Sequence, residues 1–221
     1  MLRSLVGSEM CIRDRSFLYY IATGYHRLKS TCKTTYQSSD SIVEKSVFAY
    51  DTERPYNIIS KSSLCSGGAE QVERTYYSNN TIPDKESLTT SQRSAIQLLT
   101  SRNYLTTPVQ QTMEKKDKRL YSVLRGYSSS LSSGMVVEDQ YYCKGTDKYE
   151  KRISYNKYDI YGNPVYINKD GAEKVVYLWG YKGQYLLAEI KGATYEEVKK
   201  ALMVDPASMS SCILPSIPLY L

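Results

Sequence analysis

The side chains that could do chemistry are few and scattered. The 221-residue chain has one histidine, His26, and no Gly-x-Ser-x-Gly element. A Ser–His–Asp hydrolase would have to rest on that single imidazole, which sits in a Tyr-rich, strand-like stretch. The cysteines Cys11, Cys32, Cys65, Cys143 and Cys212 include no Cys-x-x-Cys pair. That spacing excludes a zinc knuckle or a thioredoxin-type motif. Free or buried thiols are the reading, with a Cys65–Cys143 bridge left open. The adjacent carboxylates Glu138-Asp139 and Glu196-Glu197 read as strand-surface and helix-start charges. No Gly-rich phosphate loop is present, so no cofactor is expected. Lys115-Lys116-Asp117-Lys118-Arg119 reads as a solvated hairpin tip and not as a nucleic-acid patch. The net charge of +6 is spread along the chain, and no apolar run reaches the length of a membrane-spanning helix.

The elements that must position these groups are mainly strands. There are 23 Tyr but only 2 Phe and 1 Trp. Tyrosine has an apolar face and a polar tip and favours strands. So much Tyr beside so little Phe implies half-buried strands and no single thick apolar core. Ser16–Tyr25, Lys45–Asp51, Tyr56–Cys65, Glu70–Ser78 and Pro108–Lys115 read as strands. So do Arg119–Ser128, Gly134–Tyr142, Tyr149–Asp159, Val165–Lys169 and Gln184–Ile190. Ser128–Gly134 reads as a flexible link. Lys174–Tyr181 alternates, with Val175, Tyr177, Trp179 and Tyr181 on one face and Val176 and Leu178 on the other. Asp170-Gly171 predicts a two-residue hairpin, because glycine accepts positive φ. Ser87–Ser101 carries Leu88, Ala95, Ile96 and Leu99 on one helical stripe, capped by Asp84 or Ser87 and covering a sheet edge. A second short helix at Thr194–Met203 opens on a Thr194/Glu197 capping box.

Two stretches of the chain match each other. Tyr50-Asp51 aligns with Tyr158-Asp159, and without gaps Ile59 aligns with Ile167 and Lys61 with Lys169. Gly68-Ala69-Glu70-Gln71-Val72 then aligns with Gly171-Ala172-Glu173-Lys174-Val175. Each unit reads as strand, turn, strand, turn, strand, and such a unit needs stacked neighbours to bury its face. In the second unit Asp159 is placed to accept bonds from the following turn. Gly162 permits an unusual φ, Asn163 tolerates one, and Tyr158 can pack its ring while bonding its hydroxyl.

Tyr158-Asp159-Ile160-Tyr161-Gly162-Asn163 resembles the YDxxGN element of the Rhs/YD-repeat family. Val176–Tyr185, with Trp179-Gly180 at its centre, and the segments Ala188-Glu189-Ile190 and Ala193–Val198 resemble Rhs-repeat proteins of Bacteroidetes. The likeness covers about Lys148–Leu202. It is looser over Leu28–Tyr142, where Tyr50-Asp51 lacks the Gly-Asn and Gly68 belongs to a degenerate unit. The resemblance implies antiparallel β-hairpin repeats wound into a sheet or spiral, with two short helices. It also implies a large, secreted or cell-surface bacterial protein, whose own repeat array is this segment's partner. Some relatives cleave themselves with aspartates beyond the repeats. Asp205-Pro206 is superficially similar to that site, but its surroundings do not match and it is assigned no role.

The expected function is therefore a non-catalytic structural repeat segment. A module binding polysaccharide through exposed Tyr and Trp is the alternative, and exposure of Trp179, Tyr177 and Tyr181 discriminates the two. A hydrolase is a more distant third. An effector domain is a further partner that the resemblance allows. Leu5–Arg15 resembles a translated sequencing adapter, so residues 1–15 are expected to be foreign to the fold. The remaining organisation expected is a degenerate repeat region at 16–142, a YD unit with its helix at 143–203, and an irregular tail at 204–221.

Overall fold

A computed structural model describes residues 26–37, 40–64, 68–131, 134–170 and 173–211. The adapter-like segment, the Ser16–Tyr25 strand, Cys65, Gly171 and Cys212 lie outside the described residues. The described chain is mainly antiparallel β with short helices. Its strands are β1 (Ser30–Gln37), β2 (Asp40–Tyr50), β3 (Ile58–Leu64), β4 (Glu70–Tyr77), β5 (Pro108–Lys115) and β6 (Lys118–Leu131). They continue as β7 (Gly134–Lys144), β8 (Glu150–Tyr158), β9 (Pro164–Lys169), β10 (Glu173–Gly180) and β11 (Tyr185–Lys191). All eleven form one sheet in sequence order. The α-helices are α1 (Thr90–Ser101) and α2 (Tyr195–Leu202), with 3-10 turns at Lys85–Ser87 and Pro206–Ser211.

Several expectations need correction. β1 has no counterpart in the strand reading, because Ser-Thr-Cys-Lys-Thr-Thr shows no hydrophobic alternation. β6 runs on to Leu131, through Ser128-Ser129-Ser130, because pairing with β7 resumes at Leu131 opposite Gly134 after a register shift that follows Ser128. The α1 cap is Thr89, which forms a reciprocal box with Gln92, and Asp84 and Ser87 belong to the preceding 3-10 turn. The Thr194/Glu197 box is present at α2. The β9–β10 register pairs Lys169 with Glu173. Their connection therefore holds an odd number of residues and not two, with Asp170 at φ +49°. A two-residue turn occurs instead at Lys116-Asp117, where both φ values are positive (49° and 60°), as a type I′ hairpin requires.

The helices lie on one face of the sheet and do not cover an edge. Directly opposed residues of neighbouring strands share a face, and so do residues two apart along a strand. Gln92 of α1 reaches Asp139, and the row runs Asp139, Ser154, Asn168, Lys174. Val176 shares the face of Lys174 and packs with Val198 of α2. The core is correspondingly divided. Ala95, Ile96 and Leu99 of α1 pack with Val109, Leu124 and Tyr127. Val198 of α2 packs with Val176 and Leu178. Among the described residues, nothing in β1–β3 is buried, so those strands depend on backbone pairing more than on a core.

Gly126 makes the α1 contact possible. A Cβ there would stand 2.4 Å from Gln92 Cδ, and the Gln92 side chain is fully buried. Gly126→Ala should push Gln92 out of its site and lower stability by roughly 1–3 kcal/mol, the usual penalty of overpacking. Thermal melts should show the same loss when Gln92→Ala is made alone, and little further loss when the two are combined.

Candidate functional site

The repeated feature of this fold is a row of aromatic donors across the sheet. Near the end of every even-numbered strand one aromatic side chain reaches back to the preceding odd strand, or to the residues leading into it. Tyr50 Oη donates to Leu28 O at 2.9 Å, Tyr77 Oη to Ile58 O at 3.0 Å, and Tyr127 Oη to Pro108 O at 2.9 Å. Tyr158 Oη donates to Val137 O, and Trp179 Nε1 donates to Pro164 O at 2.8 Å. Each acceptor lies two residues before the first paired residue of its odd strand within the hairpin. These first paired residues are Ser30, Ser60, Gln110, Asp139 and Tyr166. Backbone pairing has stopped there, and the side chain takes the carbonyl that pairing leaves free.

A register shift accompanies each strap. Ala49 and Tyr50 oppose Ser60 and Ile58, passing over Ile59. Tyr76 and Tyr77 oppose Gln110 and Pro108, passing over Val109. Gly126 and Tyr127 pass over Glu138, Lys157 and Tyr158 pass over Val165, and Leu178 and Trp179 pass over Leu187. Such a bulge puts two neighbouring residues on one face. In the last of these the extra residue is Leu187 of β11, so β10 keeps the alternation expected at Lys174–Tyr181: Val176, Leu178 and Gly180 are buried, while Tyr177 and Trp179 are half-buried on the other face.

At the YD element both oxygens of the buried Asp159 are occupied. Oδ1 accepts from Tyr161 N at 2.9 Å and Asn163 N at 2.8 Å, and Oδ2 accepts from Asn163 Nδ2 at 3.1 Å. Asp159 N in turn donates to Asn163 O at 2.9 Å. Gly162 sits at φ +85° with open space around its Cβ position, so its requirement is conformational and not steric. Asn163 Nδ2 also donates to Gly183 O at 2.8 Å, joining this turn to the β10–β11 turn.

The Tyr50-Asp51 turn is built the same way in a longer loop. Asp51 Oδ1 accepts from Glu53 N and Arg54 N, and Asp51 N donates to Asn57 O. The bond from the Arg54 N–H is the main influence holding the Asp51 carboxyl below its ordinary pKa. Asn57 stands where Asn163 stands, donating through Nδ2 to Leu105 O at 2.9 Å. Matching Asn57 with Asn163, and acceptor Ile58 with acceptor Pro164, corrects the ungapped pairing of Ile59 with Ile167. The first loop is two residues longer, so the equivalence shifts by two.

The other singled-out residues serve backbone geometry. A Cβ on Gly180 would lie 2.6 Å from Leu187 Cδ1, and Gly68 takes φ +69° in open space. Asp170 is exposed and pairs with Arg152 at 3.2 Å. Gly171 is not among the described residues.

Two polar clusters were not expected. Asp139 is buried and not a surface charge, because the bulge at Glu138 turns it inward. Its oxygens accept from Ser154 Oγ (2.9 Å), Gln92 Nε2 (3.1 Å) and Tyr141 Oη (3.2 Å), with Lys151 Nζ at 3.4 Å. Beside it an open groove of about 330 Å³ is lined by Ser128, Glu138, Asn156 and Lys157 among others. The second cluster centres on Asp84. Tyr149 Oη donates to Asp84 Oδ2 at 2.9 Å, and Arg119 Nη1 pairs with the same oxygen at 2.9 Å. Gln110 Nε2 donates to Ser122 Oγ at 3.0 Å and to Asp84. Ser122 is fully buried, which removes its hydroxyl from any solvent-borne substrate. No local sequence signal marks these clusters: Asp84 lies just before a 3-10 turn, and Gln110 and Asp139 lie within the polar runs Gln110-Gln111-Thr112 and Glu138-Asp139-Gln140.

Cys143 carries a free buried thiol and Cys32 a free exposed one. Burial pushes the Cys143 thiol up, away from the thiolate a nucleophile needs. His26 is exposed. Among the described residues no group of three or more His, Cys, Asp or Glu is placed to hold a metal ion. No helix among them is long and apolar enough to cross a membrane. No protein-family model matches the chain, and no curated protein matches it.

The geometry generates two expectations. Asp159→Ala leaves the Tyr161 and Asn163 N–H groups without their acceptor and should cost about 1–3 kcal/mol. Tyr158→Phe removes only the strap and should cost about 0.5–1.5 kcal/mol. Urea unfolding of the two variants measures both.

The straps also set an alkaline limit. Burial pushes Tyr127 up to about 12 from 10.0, and burial raises Tyr158 as well. Unfolded tyrosine ionises first, so this stabilisation is complete below pH 10 and is lost as pH rises towards 12. Stability measured between these values should fall less steeply in Tyr127→Phe than in the parent chain.

Proposed function

We propose that the chain is a non-catalytic structural β-repeat segment of a large secreted or cell-surface bacterial protein of the Rhs/YD-repeat type. The observation that carries this reading is the strap row. An aromatic donor recurs in every hairpin, with a bulge where its strand pairs with the next, and the residues of the Tyr158–Asn163 element are consumed by that geometry. Asp159 spends both oxygens on its own turn, Asn163 spends its amide on Asp159 and Gly183, and Tyr158 spends its hydroxyl on Val137. Groups saturated in this way hold a shape. A catalytic carboxylate would need a free oxygen within reach of a substrate.

A carbohydrate-binding reading is favoured by one specific feature. Tyr181 and Tyr185 are exposed and meet edge to face at 5.5 Å, beside the exposed Leu186 and Leu187. Trp179 supports the scaffold reading instead, because its indole N–H is held by Pro164.

The deciding measurement combines binding, hydrolysis and stability on one set of variants. The parent chain, Asp159→Ala and Tyr181→Ala/Tyr185→Ala are screened against glycan and peptide panels and unfolded in urea. The scaffold reading expects no turnover from any of them and a stability loss confined to Asp159→Ala. Glycan binding lost on removal of the two tyrosines would favour the binding module. Turnover lost in a fully stable Asp159→Ala would replace both readings with an enzyme. Antibody raised to the chain should label the outer surface or the secreted fraction of the source bacterium.

A further inference from the structure

The strap row stops one step short of completion. In the four hairpins from β3 to β10 the acceptor carbonyl belongs to the residue just before the bulged one. Ile58 precedes Ile59, Pro108 precedes Val109, Val137 precedes Glu138, and Pro164 precedes Val165. β11 carries the same bulge, at Leu187, between Ala188 opposite Leu178 and Leu186 opposite Trp179. The corresponding acceptor is the Leu186 carbonyl. Among the described residues β11 is the edge of the sheet.

We infer that β11 is an acceptor edge for one further antiparallel strand, supplied by a partner polypeptide and carrying a Tyr or Trp that donates to the Leu186 carbonyl. The backbone is arranged for such pairing. Gly192 N bonds inward to Lys174 O at 2.9 Å. Antiparallel bonding alternates, so Ile190 and Ala188 also bond inward while Glu189 and Lys191 turn their N–H and C=O groups outward. The side chains at the strap end are apolar and uncovered, with Tyr185 at 61%, Leu186 at 47% and Leu187 at 48% exposure. An added strand gains main-chain bonds along the edge and buries these groups, the mode known as strand addition.

The geometry also says which strand fits. Every strap comes from a strand antiparallel to its acceptor, with its aromatic three or four residues past that strand's last paired residue. Those pairs are Val47 and Tyr50, Arg74 and Tyr77, Leu124 and Tyr127, Ser154 and Tyr158, and Val176 and Trp179. Neither edge of a second copy meets this condition. Directions alternate through eleven strands, so β1 of a copy stacked head to tail would run parallel to β11. In an antiparallel β11–β11 pair, Tyr185 of the copy would lie at the far end from Leu186. The fitting partner is a strand like the even-numbered strands of this sheet.

A synthetic peptide with the sequence of residues 149–163 serves as the probe, together with its Tyr158→Phe version. Each is added to the full chain, and backbone amide exchange and affinity are measured. The expected result is new protection at Glu189 and Lys191, with the Phe peptide weaker by roughly three- to tenfold, the equivalent of one net hydrogen bond. No new protection on β11 at millimolar peptide overturns the inference. So does equal affinity of the two peptides, or protection appearing on β1 instead. The inference rests on the repeat-scaffold reading, and the two fail separately. A silent β11 edge leaves the stability effects of the internal straps intact, whereas turnover in the variant panel would remove the scaffold reading itself.

Discussion

An antiparallel hairpin that opens at one end leaves backbone carbonyls without partners, and this sheet has that problem in every hairpin. Beyond Ser30, Ser60, Gln110, Asp139 and Tyr166 the pairing within each hairpin ends, while pairing to the next hairpin continues. A polar backbone group left dry and unpaired costs about as much as a lost hydrogen bond. The aromatic straps remove that cost with a side chain long enough to span the widened gap and wide enough to fill it. Two of these rings also pack with neighbouring side chains: Tyr127 lies in the core cluster with Val109 and Leu124, and Tyr158 stacks on Tyr155 at 6.1 Å. The composition follows from this. Phenylalanine could fill the gap but has no donor, and the tyrosine hydroxyl is used again at Tyr141, Tyr149 and Tyr195. A chain with 23 Tyr and 2 Phe is one in which the ring and its donor are needed together.

The fold class, most strand positions, the two helices and the capping box at Thr194 were legible because they are local. Hydrophobic period, turn chemistry and capping each act over a few residues. The Asp159 turn was legible for the same reason, since its bonds span two to four residues. The straps connect residues 15 to 22 apart, across loops of unequal length, and nothing near Tyr77 or Tyr127 marks them. The Asp51 turn was only half legible, because its Asn57 lies two residues further on than the short YD turn suggests. Asp139 misled for a related reason. Strand alternation is a parity argument, and one bulge at Glu138 reverses the parity of everything after it.

The helices occupy the places where the sheet needs a cover. The insertion between β4 and β5 carries α1 back over β6, where Gly126 leaves room for Gln92 to lie on the sheet. Gln92 is bonded on both sides, accepting from Thr89 N at its own cap and donating to Glu138 and Asp139. One side chain therefore caps the helix and docks it. That economy couples the helix to the β6–β7 register: a slip of one residue would carry Asp139 to the opposite face and leave the buried amide without its acceptors.

The same coupling bears on what the sheet can be for. Local stability in a sheet is set by how much of each strand is buried and paired. Here buried residues are concentrated in β5–β7, β9 and β10, whereas β1–β3 have no buried residue among those described and are held by the ladder and the Tyr50 and Tyr77 straps. A catalytic site is best held by its most rigid elements. In this chain those elements bind the carboxylates of Asp159, Asp139 and Asp84 to neighbouring groups, while Thr112 Oγ1, Arg125 Nη1 and Asn168 Oδ1 are buried without a hydrogen-bond partner. The outward backbone groups of β11 and the exposed rings of Tyr181 and Tyr185 are the groups that the proposed lateral continuation of the sheet would use.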